Sequence, residues 1–168
     1  MSGLLAVYGA LWAAGEEHNI ANFGSYALNS MRLEKGFHGA SELTTEVTLP
    51  EAGVMAFVKM DKADFIGRDQ TQASLDTPLP WVCVYLEVAA EGADCVGSET
   101  VYMNGERVGQ ISSGGYGHTV QKSLARAFVH PRASTPGTEL DVHVLAVMRK
   151  ARILSEPVYD PNNELPRS

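Results

Sequence analysis

Cysteine is nearly absent from this chain: Cys83 and Cys95 are the only two in 168 residues, and they are not in C-x-x-C spacing. That argues against a secreted scaffold stapled by disulfides. No charged segment followed by an apolar stretch opens the chain, so the expected compartment is the reducing cytoplasm. Long apolar runs are missing too. The longest, around residues 82–86 and 142–148, fall far short of the ~20 residues needed to cross a bilayer, and no membrane partner is expected. Basic residues are the minority: 13 Lys and Arg stand against 20 Asp and Glu, a net charge of −7. Such a surface repels polyphosphate, so nucleic acid is not an expected partner. The histidines, His18, His38, His118, His130 and His143, show no paired-ligand spacing, and no metal is expected. No G-x-S-x-G elbow marks a nucleophilic serine.

What is present reads as an ordinary globular chain, 45% apolar and 20% charged, of a size that suits one domain with a short helical preface. Leu4, Leu5, Tyr8, Leu11 and Trp12 fall at helical spacing before Gly15, which predicts a helix with an apolar face. Such a helix either packs on later strands or presents a face that awaits a partner. Residues 25–35 predict a second helix, with Ser25 as N-cap and Gly36 as the stop beyond its end. Residues 37–53 read as turn-prone, residues 54–60 fit a short strand or a helix segment, and a further helix is expected over 65–71 behind Asp64.

From residue 78 the texture turns to β. Pro78 and Pro80 lead into the β-branched and aromatic run 81–88. Asn104-Gly105 between residues 99–103 and 107–112 supplies the positive φ angles of a two-residue hairpin. Strands are expected over 124–129 and 140–148. The predicted fold is α+β: an N-terminal helical segment over 1–77, then a small antiparallel β-barrel over 78–168.

Few groups suggest chemistry. The glycine-rich stretch 112–118 lacks the Lys-Ser/Thr ending of a phosphate loop and reads as a structural loop, with Tyr116 and His118 available to line a pocket. Glu42, Glu46 and Glu51 read as a solvated acidic face. Arg32, Glu34 and Phe37 bring a guanidinium, a carboxylate and an aromatic face together at a helix end. Two readings stay open: a helix-terminal ion pair, or a cradle for a flat heteroaromatic ligand.

The string Ala27-Leu28-Asn29-Ser30-Met31-Arg32-Leu33-Glu34-Lys35-Gly36-Phe37 is followed by Thr48-Leu49-Pro50-Glu51-Ala52-Gly53, then Phe57-Val58-Lys59 and Asp64-Phe65-Ile66-Gly67-Arg68. Asn104-Gly105, Ser112-Ser113-Gly114-Gly115-Tyr116-Gly117, Lys122-Ser123-Leu124-Ala125, Pro136-Gly137-Thr138 and Pro157-Val158-Tyr159-Asp160-Pro161 continue in order. Over roughly residues 8–161 this resembles the second half of the aminomethyltransferase family, which includes the glycine cleavage T-protein. The Met-Arg-Leu-Glu-Lys-Gly-Phe version resembles the dimethylglycine and sarcosine dehydrogenase branch.

The resemblance implies tetrahydrofolate as cofactor, with Arg32 facing it and Glu34, Phe37 and Tyr116 as further binding candidates. An aromatic residue that commonly follows the phenylalanine in the family is missing from His38-Gly39-Ala40-Ser41. The family's catalytic aspartate and its Gly-Tyr-Thr-Gly-Glu segment do not precede Tyr8, and no flavin (FAD) fingerprint is present. The expectation is therefore a C-terminal portion of a one-carbon transfer protein with no catalytic residue of its own. It would take folate, and a partner polypeptide or a second copy would cover the residue 4–12 face. The alternatives are a noncatalytic barrel, used for assembly or left as a degenerate remnant, and a binder of some other flat anionic metabolite. Arg126, Arg132, Arg149, Lys150 and Arg152 read as contacts for a polyglutamate tail or as a solvated face.

Overall fold

A computed structural model describes residues 2–167. It opens with helix α1 (Ser2–Gly15), which a 3-10 turn follows, and continues with α2 (Ser25–Glu34), α3 (Leu49–Ala52) and α4 (Arg68–Leu75). Six strands come next: β1 (Val82–Val88), β2 (Thr100–Met103), β3 (Glu106–Gly117), β4 (Lys122–Val129), β5 (Glu139–Val144) and β6 (Val147–Leu154). They close into an antiparallel barrel in the order β1-β4-β3-β2-β5-β6, the α+β architecture expected. Closure leaves no unpaired sheet edge.

Period-two alternation fills the barrel. Val84, Leu86 and Val88 of β1 meet Ala125, Ala127 and Val129 of β4 inside, with Val101, Ile111, Leu140, Val142 and Ile153 completing the core. The intervening residues of β1 and β4 point outward, yet several are buried as well. Tyr85 and Leu124 pack with Leu33 of α2 in a second cluster, closed by Leu154 and Val158. Helix α2 thus lies on the outer face of β3 and β4, and Leu33 is its anchor.

Several local expectations change in three dimensions. The stretch 112–117 belongs to strand β3 and is not a loop. Its glycines permit close approach: a Cβ at Gly114 would come within 2.5 Å of the Cys95 carbonyl oxygen, and one at Gly117 within 2.9 Å of the Glu34 side chain. Residues 140–148 are not one strand but the corner of the β5–β6 hairpin, turned by Leu145 and Ala146 at φ 43° and 63°. Neither residue type carries a turn signal, since positive φ favours Gly, Asn and Asp. The Asn104-Gly105 hairpin forms as expected, with φ 53° and 81°.

Helix α2 is capped by Gly24 rather than by the Ser25 side chain. Helix α4 starts at Arg68 behind Gly67, not behind Asp64. Residues 55–57 form a 3-10 turn. Within 37–53 the chain builds α3 on a capping box, Thr48 and Glu51 each bonding the other's backbone amide. The α1 face does not fold onto the strands. None of its described residues is buried, and Leu5 is 76% exposed.

Candidate functional site

Helix α2 ends at Glu34, and the chain reverses at Gly36, whose φ of +66° suits glycine. The segment 37–40 then turns back along the helix. Between them lies a crevice of about 400 Å³ lined by Leu28, Asn29, Arg32, Phe37, His38 and Gly39. Phe37 is 57% exposed and offers its ring to this space.

Arg32 is held tightly. Its Nε and Nη2 donate to Asn29 Oδ1 at 3.0 and 2.7 Å, and Nη1 donates to the Phe37 carbonyl at 3.3 Å and to Glu42 Oε2 at 3.2 Å. A guanidinium has five N–H donors, so these contacts leave a single Nη2 hydrogen. Asn29 is fixed in turn, since its amide donates to the Gly114 carbonyl of β3 at 3.1 Å.

Glu42, read from sequence as part of a solvated face, is wholly buried. Its Oε1 accepts from Ser112 Oγ at 2.6 Å and Ser113 Oγ at 2.7 Å, and its Oε2 accepts from the Gly39 amide at 2.6 Å as well as from Arg32. Burial alone would raise its pKa. The two serine hydroxyls, the Gly39 amide and the Arg32 charge outweigh that and hold the carboxyl below its ordinary value. Glu42 therefore bolts the crevice to β3. Glu46 is exposed, and Glu51 serves the α3 capping box.

The ion pair at the helix end is thus Arg32 with Glu42, not with Glu34. Glu34 is 2% exposed and turns toward the barrel, where it accepts from the Thr119 amide at 2.7 Å. Tyr116 lies on β3, outside the crevice lining, its ring edge-on to His118 at 5.1 Å. The structure brings Arg32 and Phe37 together and sets Glu34 and Tyr116 apart.

His38 enters the crevice instead, a residue whose spacing in the sequence marked it neither as a metal ligand nor as a binding candidate. Its pKa is lowered by burial first and by the Arg126 charge second, so the ring is neutral at pH 7. Its Nε2 lies 2.8 Å from the Ala52 carbonyl, which assigns the proton to Nε2 and leaves Nδ1 as an acceptor.

Behind this site, Tyr85 donates its hydroxyl to the Leu33 carbonyl at 2.7 Å, and Lys35 Nζ reaches the Asp160 carbonyl and carboxylate at 2.6 and 3.1 Å. Burial pushes the Cys83 thiol up to about 11, and burial with Glu99 and Asp94 pushes Cys95 up to about 12. Among the described residues no group of three or more His, Cys, Asp and Glu is placed to hold a metal, and no helix is long and apolar enough to cross a membrane.

The barrel and the segment before it both match known protein families. Residues 82–160 match the glycine cleavage T-protein C-terminal barrel domain, and residues 2–62 match the GCVT N-terminal domain. The chain belongs to the glycine cleavage T-protein family. It is 38% identical over 156 residues to human mitochondrial dimethylglycine dehydrogenase, an alignment covering 92% of this chain and 18% of that protein. The aminomethyltransferase of Halalkalibacterium halodurans is 32% identical over 152 residues, covering 89% of this chain and 41% of the relative. The crystal structure of glycine cleavage system aminomethyltransferase T from Bartonella henselae superposes with a TM-score of 0.73 at 23% identity, over 79% of this chain and 38% of that one. The fold is shared, and this T-protein-family chain spans about a fifth to two fifths of the relatives' lengths.

Proposed function

We propose that this chain is the barrel side of a tetrahydrofolate-dependent one-carbon transfer protein of the aminomethyltransferase or dimethylglycine dehydrogenase kind. In this reading residues 1–77 contribute to the folate-binding domain and residues 78–168 form the barrel domain. It acts in a reducing compartment such as the cytoplasm, in keeping with its two free thiols.

The observation that carries the reading is the crevice at the end of α2. It has one exposed aromatic face, one guanidinium hydrogen and one neutral imidazole acceptor, and this donor set fits one edge and one face of a flat heteroaromatic ring. When bound, tetrahydrofolate supplies the nucleophilic nitrogen that takes up the one-carbon unit. Phe37 stacks on the ring, Arg32 donates its remaining Nη2 hydrogen, and His38 Nδ1 accepts. Glu34 and Tyr116 stand as further binding candidates. From its place against the barrel, Glu34 acts by holding the helix end rather than by touching the ligand.

No catalytic residue is assigned to this chain. The exposed Leu4, Leu5 and Leu11 of α1 form a face that another polypeptide, or a second copy, covers to complete the site. A second reading, a noncatalytic assembly barrel, is favoured by one observation: Arg32 spends four of its five donors within the chain.

Calorimetric titration with a stable reduced folate distinguishes the two. Micromolar binding that is lost in Phe37→Ala, a variant that leaves the core intact, supports the folate reading. An absence of heat up to about millimolar ligand, the ~4 kcal/mol regime, favours the assembly barrel.

A further inference from the structure

Arg126 was one of five basic barrel residues that sequence reading placed on a solvated face or a polyglutamate contact. It sits instead in the middle of β4, between Tyr85 of β1 and Ser113 of β3, and is 9% exposed. No carboxylate lies within 4.0 Å of it among the described residues, the Arg32 pair having claimed Glu42. Its Nε has no hydrogen-bond acceptor among the described residues. What it does have is the Tyr85 ring beneath it, 5.0 Å from centroid to Cζ, and the Cys83 thiol, a weak acceptor. An arginine buried this far is ordinarily paired with an anion.

The guanidinium does not end in solid packing. It lines a crevice of about 240 Å³ bounded by β1, β6 and the segment 155–157. Gly36 closes one side: a Cβ there would stand 3.4 Å from Arg126 Nη2 and 3.1 Å from Pro157. Val82, Leu154, Pro136 and Pro157 make apolar walls, and Glu156 is the one carboxylate on the lining. The crevice shares no lining residue with the Arg32 site.

We infer that this is a second binding site, for a small, singly charged carboxylate with an apolar body, whose carboxylate pairs with Arg126. At roughly 30 Å³ per water-sized group, the volume holds about eight heavy atoms. The apolar walls favour a hydrocarbon body over a hydrated polar one. Glu156 repels a second negative charge, which disfavours phosphate and dicarboxylates. The site stands independently of the folate reading.

The test is calorimetry on the full chain with hexanoate, its uncharged analogue hexanamide, and inorganic phosphate. Hexanoate is expected to bind at least about tenfold more tightly than hexanamide, the value of a charge-assisted hydrogen bond, and Arg126→Met is expected to abolish the preference. Glu156→Gln, on the exposed rim, is expected to tighten hexanoate binding by about two- to fivefold and to admit phosphate, a gain that misfolding cannot mimic. No heat with hexanoate at concentrations up to about 10 mM would overturn the inference. Equal binding of hexanoate and hexanamide, or phosphate bound more tightly than hexanoate by the wild-type chain, would do the same.

Discussion

Replacing Glu42 by glutamine tests the bolt between the crevice and the barrel most directly. The carboxylate accepts four hydrogen bonds: two from Ser112 and Ser113 on β3, one from the Gly39 amide and one from Arg32. Glutamine keeps the shape. Its oxygen can face Gly39 and Arg32 while its amide faces the serines, whose hydroxyls rotate to accept. Geometry therefore survives while the charge is lost. Bonds to a charged group contribute about 1.5–3 kcal/mol each, against roughly 0.5–1.5 for neutral ones, and the four are not additive. The expected cost is about 2 kcal/mol for Glu42→Gln and about 3–5 for Glu42→Ala, which leaves Arg32 without its counterion.

Urea unfolding followed by circular dichroism at pH 7 reads both values. Glu42 titrates lower in the folded chain than in the unfolded one. Its stabilisation is therefore complete above about pH 4.3, the ordinary value, and is lost as pH falls through the lower folded value. The gap between wild type and Glu42→Gln should narrow as pH falls below about 4.3 and through the lower folded value. A glutamine variant within about 0.5 kcal/mol of wild type at pH 7, the scale of a surface change, refutes the reasoning. So does a gap that stays constant from neutral to acid pH.

Three further outcomes are expected. Tyr85→Phe removes one of two donors to the Leu33 carbonyl, the other being the Gly36 amide at 2.9 Å, and should cost about 0.5–1.5 kcal/mol; an unchanged melting temperature would show that the Gly36 amide alone satisfies that carbonyl. With the Cys83 and Cys95 thiols pushed up to about 11 and about 12, both should react slowly with a disulfide reagent at pH 8 in the native chain, buried Cys95 more slowly than half-buried Cys83, and fast after denaturation; fast native labelling of Cys95 would contradict its burial. Leu5→Lys with Leu11→Lys, on the open face of α1, should reduce hydrophobic-dye binding and any self-association while changing stability by less than about 0.5 kcal/mol; measurable destabilisation would mean that the face is already packed.

Much of the architecture is legible in residue order because it depends on local rules. Alternating β-branched residues place β1, Asn104-Gly105 can turn only one way, and Gly36 stops α2 where its φ is positive. The helical spacing of Leu4, Leu5 and Leu11 likewise foretells α1 and its apolar face. Where local signals fail, a distant partner has decided. Leu145 and Ala146 take positive φ because the closed barrel forces β5 into β6. The glycines of β3 look like a loop until α2 and Cys95 come to lie against them.

The site divides along the same line. Arg32 and Phe37 are neighbours along the chain and reach one crevice through the turn at Gly36, so their pairing follows from sequence and family resemblance. Glu42 and Arg126 do not declare themselves, because a charged residue in a polar stretch or an alternating strand reads as solvated until its surroundings are known. Only the docking of α2 on the barrel buries both, through serines about 70 residues beyond Glu42 in the chain and through Tyr85 and Gly36 around Arg126. Sequence by itself determined the family and most of the helices and strands, though not the extent of β3 or the β5–β6 corner. Tertiary structure decided which charges leave water, because desolvation is a property of the whole fold and not of any window along the chain.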